Sequence, residues 1–278
     1  MSINQELWSE FCGDRDRALS SITALVALMA RLRSPERGCP WDIEQTFETI
    51  APYTIEEAYE VADAIQRGAM GDLKEELGDL LFQVIFHARM AEERGLFDVF
   101  DVMDGLVRKM AERHPHVFGA AEARNAEEQT EAWEAQKAHS RAQKGAGLLD
   151  DVALALPALQ RAEKLTKRAA RIGFDWPDPE AVLAKLSEEL DEIQAARAEG
   201  DAAHIAEEVG DALFVMANLA RKLGVDPEEA LRQANAKFTR RFGYIERRLA
   251  SQGRTGPQPL DDLEALWLEA KNVERNGG

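Results

Sequence analysis

Acidic residues stand at matching spacings in the two halves of this 278-residue chain. Each half carries one pair of acids three residues apart and, further along, a second pair with the same spacing. The pairs are Glu57 with Glu60 and Glu76 with Asp79, repeated 132 residues later as Glu189 with Glu192 and Glu208 with Asp211. Residues three apart on an α-helix are neighbours on one face. Each helix would therefore present two carboxylates together.

Carboxylates that converge in this way indicate a site for a divalent cation. Like charges about 4 Å apart repel by a few kcal/mol at an effective dielectric near 20, and a bound cation removes that cost. Ligands that are all oxygen favour Mg²⁺, or Mn²⁺ in its place, over zinc, and a di-iron bundle would use Glu-x-x-His. One such pair in so acidic a chain is typical of a solvated helix face. The repetition at one spacing favours the metal site.

Helices must position these acids. The long proline-free stretches are rich in Ala, Glu, Leu, Arg and Lys, which predicts an all-α protein of helical bundles. Residues 80–86 by themselves resemble a buried strand, but Asp72 and Glu75 have the spacing of a capping box. We therefore predict a helix from about residue 73 to residue 94. It is apolar nearly all round, so we expect it to be buried in a bundle or at a subunit interface.

The two halves repeat more than their acids. Gly68 and Gly200 lie between the acid pairs, where a short turn would fold the helices back antiparallel and bring four carboxylates together. The other landmarks are Gly38-Cys39-Pro40-Trp41-Asp42 against Gly173-Phe174-Asp175-Trp176, and Trp133-x-x-x-Lys137 against Trp267-x-x-x-Lys271. Patterned helix gives way to Gln, Lys, Gly and Ala at 142–147. The sequence predicts two tandem helical domains, residues 1–143 and 148–278.

Composition limits the partners. The formal net charge of −17 opposes binding to duplex nucleic acid and to anionic lipid. The apolar runs are shorter than the roughly 20 residues that span a membrane, and the N-terminus has no signal-peptide pattern. The two cysteines, Cys12 and Cys39, do not form a metal-binding spacing or a disulfide framework. We expect free thiols in a cytoplasmic protein.

A phosphate substrate would also need cations from the protein, and the second half offers them. Lys185 stands one turn before Glu189, on the expected metal-binding face. Lys237 and Arg241, one turn apart, either face a phosphate or form a surface basic patch. Trp267 either stacks on a base or fills a core.

With these motifs the chain resembles the tandem-domain bacterial MazG nucleoside triphosphate pyrophosphohydrolases. The resemblance runs from about residue 25 to residue 271. Besides the doubled acid motifs and Gly38-Cys39-Pro40-Trp41-Asp42, it rests on Arg113-His114-Pro115-His116-Val117-Phe118, Gly173-Phe174-Asp175-Trp176 and Lys237-Phe238-x-Arg240-Arg241-Phe242. It implies an all-α homodimer that hydrolyses ribo- and deoxynucleoside triphosphates to monophosphate and pyrophosphate with Mg²⁺.

The resemblance also implies roles for residues of the second half. The implied metal ligands are Glu189, Glu192, Glu208 and Asp211. The implied catalytic residues are Lys185, Glu188, Glu189 and Glu192, with Glu188 a candidate to orient the attacking water. The implied nucleotide-binding residues are Lys185, Glu188, Glu207, Lys237, Arg241 and Trp267.

The first half is expected to be the weaker copy. Tyr53 stands where the second half has Lys185, which removes a cation that would face the phosphates. We expect the acids of this half to bind metal with weaker or no turnover. These acids are Glu57, Glu60, Glu76 and Asp79.

Two other classes of protein compete with the enzyme hypothesis. A non-catalytic acidic helical module would bind metal or a basic partner without turnover. An all-α Mg²⁺ enzyme acting on isoprenyl diphosphates would need Asp-Asp-x-x-Asp segments, which the sequence lacks.

Overall fold

The computed structural model describes residues 15–119 and 147–276, with residues 125, 128, 129 and 132 between them. The chain separates into two compact units, Met1–Gln136 (unit 1) and Lys137–Gly278 (unit 2). The described residues form α-helices and one 3₁₀ helix without a strand, which confirms the all-α prediction. The predicted landmarks Cys12, Trp133 and Lys137, and the predicted boundary up to residue 146, lie outside the described residues.

The described part of unit 1 consists of helices joined by turns. They are α1 (Arg15–Leu32), α2 (Pro40–Glu44), α3 (Phe47–Arg67), α4 (Met70–Glu93), α5 (Val99–Arg113) and α6 (Pro115–Phe118). The side chain of Thr46 caps the start of α3, and Gly68 ends that helix in the left-handed conformation at φ 65°. Only glycine adopts this conformation readily, so the chain can turn at once and α4 packs back along α3.

The predicted start of α4 was wrong. The helix begins at Met70 after Ala69, whose side chain makes no capping bond. Asp72 therefore lies inside the first turn, where it pairs with Arg67 at 2.7 Å and does not act as a cap. The cause is the tight turn at Gly68, which lets the helix restart two residues later.

Only part of the surface of α4 is buried within unit 1. Ile85 and Phe86 join a core with Met29 of α1 and Ile50 of α3. A second apolar line, Leu77, Leu81 and Val84, stays 39–50% exposed. Within the described chain one face of this helix is therefore buried, and the burial of the other face at a subunit interface stays a prediction.

Unit 2 repeats this arrangement. It contains α7 (Ala158–Ala169), a 3₁₀ helix (Ala170–Ile172), α8 (Pro179–Glu199), α9 (Ala202–Lys222), α10 (Pro227–Ser251) and α11 (Leu260–Asn276). Gly200, at φ 77°, ends α8, and the carboxylate of Asp201 accepts hydrogen bonds from the first amides of α9. Val182 and Val215 form the core between these two antiparallel helices. None of the described helices is both long and apolar enough to cross a bilayer.

Candidate metal centres

Unit 2 brings together three carboxylates from its central helix pair. Glu189 of α8 and Glu208 and Asp211 of α9 each offer an oxygen within 4.8 Å of the others. Glu189 is only 3% exposed, and its Oε2 has no hydrogen-bond partner. A buried carboxylate oxygen without a partner is costly unless a ligand binds it. This all-oxygen group therefore fits a hard divalent cation.

The ammonium of Lys185 lies against the same carboxylates. Its Nζ is 2.8 Å from Glu188 Oε1, 2.9 Å from Glu189 Oε1 and 3.7 Å from Glu192 Oε2. Hydrogen bonds to Glu188 and Glu189 raise the pKa of Lys185 above its usual value. The structure thus places Lys185 on the predicted face. Glu192 lies beside this lysine but is not part of the three-carboxylate group.

His204 is a neighbour of this group that sequence reasoning missed. Its Nε2 lies 3.0 Å from Glu208 Oε1, and its Nδ1 lies 3.0 Å from Glu199 Oε2 at the end of α8. Hydrogen bonding to Glu199, with a smaller contribution from Glu208, raises the pKa of His204. The sequence contained a signal for His204, because it precedes Glu208 by four residues, the same spacing by which Lys185 precedes Glu189. Glu207 lies on the exposed side of α9.

The other predicted nucleotide-binding residues form a separate cluster between α10 and α11. The guanidinium of Arg241 lies 5.4 Å from the ring centroid of Trp267, and its Nε donates to Glu274 Oε2 at 2.8 Å. The ring of Phe238 also contacts Trp267, at 5.4 Å between centroids. Lys237 is exposed and helps to lower the pKa of Glu274, after Arg241. Within residues 147–276, no hydrogen bond or ion pair joins this cluster to the three carboxylates.

Unit 1 has a matching acidic group. Oxygens of Glu57, Glu76 and Asp79 lie within 4.8 Å of one another, and Glu60 is outside this set. Gln83 packs against it and donates from Nε2 to Glu57 Oε1 over a long 3.4 Å. Sequence reasoning missed Gln83, although its signal is a polar residue where the repeat in unit 2 has the buried Val215.

The acids of unit 1 have no neighbouring cation comparable to Lys185 among the described residues. Tyr53 occupies the position of Lys185, and Asp72 occupies that of His204. Burial, followed by the charges of Asp79 and Glu60, raises the pKa of Glu57. Burial and the charge of Glu60 likewise raise the pKa of Glu76. The two acidic groups therefore share a geometry but differ in how their charge is balanced.

We predict that Glu76→Gln raises the melting temperature of unit 1 in metal-free protein at pH 7, by about 1–3 °C. A carboxyl group whose folded-state pKa is raised loses stability as the pH rises through that value, and glutamine does not ionise. The gain over wild type should shrink as the pH falls through the raised pKa toward the usual 4.5. Calorimetry in chelator measures it, with Glu56→Gln as an exposed control on α3. A variant that melts below wild type at pH 7 would contradict the repulsion.

The fold and the two acidic groups define the class of protein, an all-α protein whose antiparallel helix pairs each carry a carboxylate group that could hold a metal ion. The family model for the MazG nucleotide pyrophosphohydrolase domain matches residues 45–118 and 178–244. Each segment contains one of the acidic groups described above. The family resemblance read from the sequence is thereby confirmed.

Curated relatives agree with the domain match. The chain is 49% identical over 261 residues to the nucleoside triphosphate pyrophosphohydrolase of Escherichia coli K12, covering 92% of this chain and 99% of that protein. It is 43% identical to the nucleoside triphosphate pyrophosphohydrolase/pyrophosphatase MazG of Thermotoga maritima, with 89% and 94% covered. It is 38% identical to the nucleoside triphosphate pyrophosphohydrolase of Mycobacterium tuberculosis, in an alignment that covers 91% of this chain and 70% of that protein. The chain belongs to the MazG nucleotide pyrophosphohydrolase family.

Proposed function

We propose that unit 2 hydrolyses ribo- and deoxynucleoside triphosphates to nucleoside monophosphate and pyrophosphate, by attack of water at the α-phosphorus. The observation that carries this is the buried Glu189, whose Oε2 lacks a partner beside Glu208 and Asp211. The names of the relatives support the substrate and the products.

Mg²⁺ is the proposed cation, and Mn²⁺ can substitute for it. The residues that would hold it are Glu189, Glu192, Glu208 and Asp211. When bound, the cation would neutralise part of the triphosphate charge and would lower the pKa of a water molecule. Glu192 belongs to this set because it lies on the Lys185 side of α8, one turn from Glu189.

Lys185 is the proposed phosphate-binding cation of the site. Without a cation its ammonium is shared among Glu188, Glu189 and Glu192. When the carboxylates serve as ligands, their charge is already balanced, and the same ammonium can donate to a phosphate oxygen instead. Glu188 is 60% exposed and adjoins the ligands, so it is the candidate to accept a proton from the attacking water.

The α10–α11 cluster is proposed to bind the rest of the nucleotide. Lys237 and Arg241 would stabilise the charge that develops on the pyrophosphate leaving group. Trp267 would contact the base, and Glu207 would lie at the edge of the nucleotide. Because Arg241 is paired with Glu274 in the free protein, phosphate binding must exchange one anionic partner for another.

Unit 1 is proposed to bind metal without efficient turnover. Its ligands would be Glu57, Glu60, Glu76 and Asp79. The raised pKa values of Glu57 and Glu76 support this proposal, because a divalent cation would relieve the repulsion between the acids that contributes to them. Tyr53 cannot supply the charge that Lys185 supplies in unit 2.

A homodimer is proposed because each unit leaves an apolar line exposed at the same place in its repeat. In unit 1 the line is Leu77, Leu81 and Val84, and in unit 2 it is Val209, Leu213 and Met216. Exposed apolar surface of this kind marks an interaction site. We predict a dimeric mass in sedimentation equilibrium and a monomeric mass for the double variant Leu81→Asp, Leu213→Asp, which disrupts the apolar line of both units. A wild-type monomer at tens of micromolar would refute the proposal.

Two further proposals concern location and other partners. The net charge of −17 supports the proposal that the chain binds neither duplex nucleic acid nor membranes. Cys39 is a free thiol in the structure, in keeping with the proposed cytoplasmic location.

The proposed reaction is tested by its products. Full-length protein with Mg²⁺ and a nucleoside triphosphate should release pyrophosphate and nucleoside monophosphate in equal amounts. Glu192→Gln should lose this activity with its helical circular dichroism intact. Release of orthophosphate alone, or unchanged turnover in Glu192→Gln, would reject the mechanism. Absence of any turnover would favour the non-catalytic module, which would bind metal if Mg²⁺ raises the melting temperature and a basic partner if it does not.

A further inference from the structure

An exposed aromatic pair adjoins the acidic group of unit 1. The rings of Trp41 on α2 and Tyr53 on α3 meet edge to face, with centroids 6.1 Å apart and an interplanar angle of 79°. Trp41 is 50% exposed and Tyr53 is 42% exposed. Tyr53 precedes Glu57 by one helical turn, so its ring and the acidic group share one face of α3. Open aromatic surface therefore continues directly from the carboxylates.

We propose that unit 1 is a binding site for a nucleoside monophosphate together with a divalent cation, and that it does not hydrolyse nucleotides. The base would stack on the Trp41–Tyr53 pair, and the cation would join the phosphate to Glu57, Glu76 and Asp79. This inference rests on the metal binding proposed above for unit 1. It adds to that proposal a ligand class and a base platform.

Gln83 is the second observation that points to a ligand at this acidic group. It is 8% exposed, and its Oε1 has no hydrogen-bond partner although its amide faces Glu57. A buried amide oxygen left unpaired is costly, and amide oxygens are ordinary ligands of hard divalent cations. Rotation of the amide exchanges Nε2 for Oε1, which would direct the oxygen to a cation bound by Glu57. Unit 2 has Val215 at this position, so the extra oxygen is special to unit 1.

The charge around the acidic group of unit 1 favours a nucleotide with one phosphate over one with three. In unit 2 the residues one turn before Glu189 and Glu208 are Lys185 and His204, whereas unit 1 has Tyr53 and Asp72. Asp72 is itself paired with Arg67. A triphosphate brings far more negative charge than a monophosphate, and neither of these two positions in unit 1 supplies a cation to balance it. The site therefore favours a single phosphate, with the base contributing through stacking.

The lack of turnover follows from the same residues. Charge that develops on a pyrophosphate leaving group needs a cation placed to receive it. Tyr53 offers only a neutral ring and hydroxyl where unit 2 has an ammonium. A bound nucleoside monophosphate has no pyrophosphate to lose, so this site would hold the product class that unit 2 releases.

The experiment uses the full-length chain carrying Glu189→Gln and Glu208→Gln, which removes the unit 2 site. Electron paramagnetic resonance with Mn²⁺ alone should show one bound ion per chain. Gln83→Val should weaken the binding of Mn²⁺ about tenfold. Valine is chosen because unit 2 has Val215 at the matching position. Calorimetry with Mn²⁺ present should then show AMP binding at least about tenfold tighter than ATP.

The aromatic platform is tested in the same background. Trp41→Ala should weaken AMP binding about tenfold or more, the range that stacking of one base provides. Phe100→Ala, an equally exposed aromatic residue on α5, should leave AMP affinity unchanged. Tighter ATP than AMP binding, or equal AMP affinity in Trp41→Ala and its parent, would overturn the proposal. Failure to bind Mn²⁺ at all would overturn the metal premise of unit 1, and it would leave pyrophosphate release by wild-type unit 2 intact.

Discussion

Glu189→Gln is expected to lower the rate of pyrophosphate release by about 10³-fold or more. The side chain is 3% exposed at the centre of the three-carboxylate group, so glutamine fits the space but cannot supply the charge. Metal coordination contributes several kcal/mol to stabilising the charge of a phosphoryl transition state. Initial rates of pyrophosphate release with Mg²⁺ and a nucleoside triphosphate in excess measure the effect.

The matched control for this variant is Asp191→Asn. Asp191 lies on the same helix and is exposed, and it belongs to neither acidic group. Its replacement removes the same charge and should change the rate by less than about twofold, because residues two apart lie on different faces of a helix and exposed charges are screened by salt. Equal losses in the two variants would mean that net acidity, and not the acidic group, supports the reaction.

Lys185→Met is expected to lower kcat by about 10²–10³-fold while strengthening the binding of Mg²⁺. Removal of one preorganised charge at a reaction centre typically costs about this much. In the metal-free protein, however, the ammonium balances Glu188 and Glu189, so its removal leaves repulsion that a cation can relieve. Opposite changes in turnover and in metal affinity are a signature that a merely structural lysine would not give.

Two measurements separate these effects. Single-turnover kinetics at saturating Mg²⁺ gives the chemical step, and titration of the melting temperature with Mg²⁺ gives the affinity. Lys164→Met, an exposed lysine of α7, is the control and should change neither. A Lys185→Met protein that binds Mg²⁺ more weakly would contradict the placement of this ammonium beside the ligands.

The sequence was sufficient to predict that the chain is helical and which helix faces carry the acidic residues. Helical periodicity and the turn glycines are local signals, so the pairing of Glu57 with Glu76, and of Glu189 with Glu208, could be predicted from spacing alone. The predicted start of α4 was wrong because Asp72 and Glu75 have the spacing of a capping box. The sequence pattern does not reveal that Asp72 forms an ion pair with Arg67 instead. Helix boundaries depend on such competition between neighbours.

Residues that act through packing were harder to find. Gln83 contacts Glu57 only because α3 and α4 pack together. The contact of His204 with Glu208, in contrast, follows from their spacing of four residues on α9. Arg241 and Trp267 were predicted separately, but the contacts of Arg241 with Trp267 and with Glu274 follow from how α11 packs against α10. No spacing along one helix contains that information.

The central claim is that water attacks the α-phosphorus in unit 2, and hydrolysis in ¹⁸O-labelled water tests it most directly. Mass spectrometry of both products should find one ¹⁸O atom in the nucleoside monophosphate and none in the pyrophosphate. In Glu189→Gln the labelled monophosphate should form at the lower rate predicted above, about 10³-fold or more below wild type, with the label in the same product. Label in the pyrophosphate, or in free orthophosphate, would place the attack at another phosphorus and contradict the mechanism.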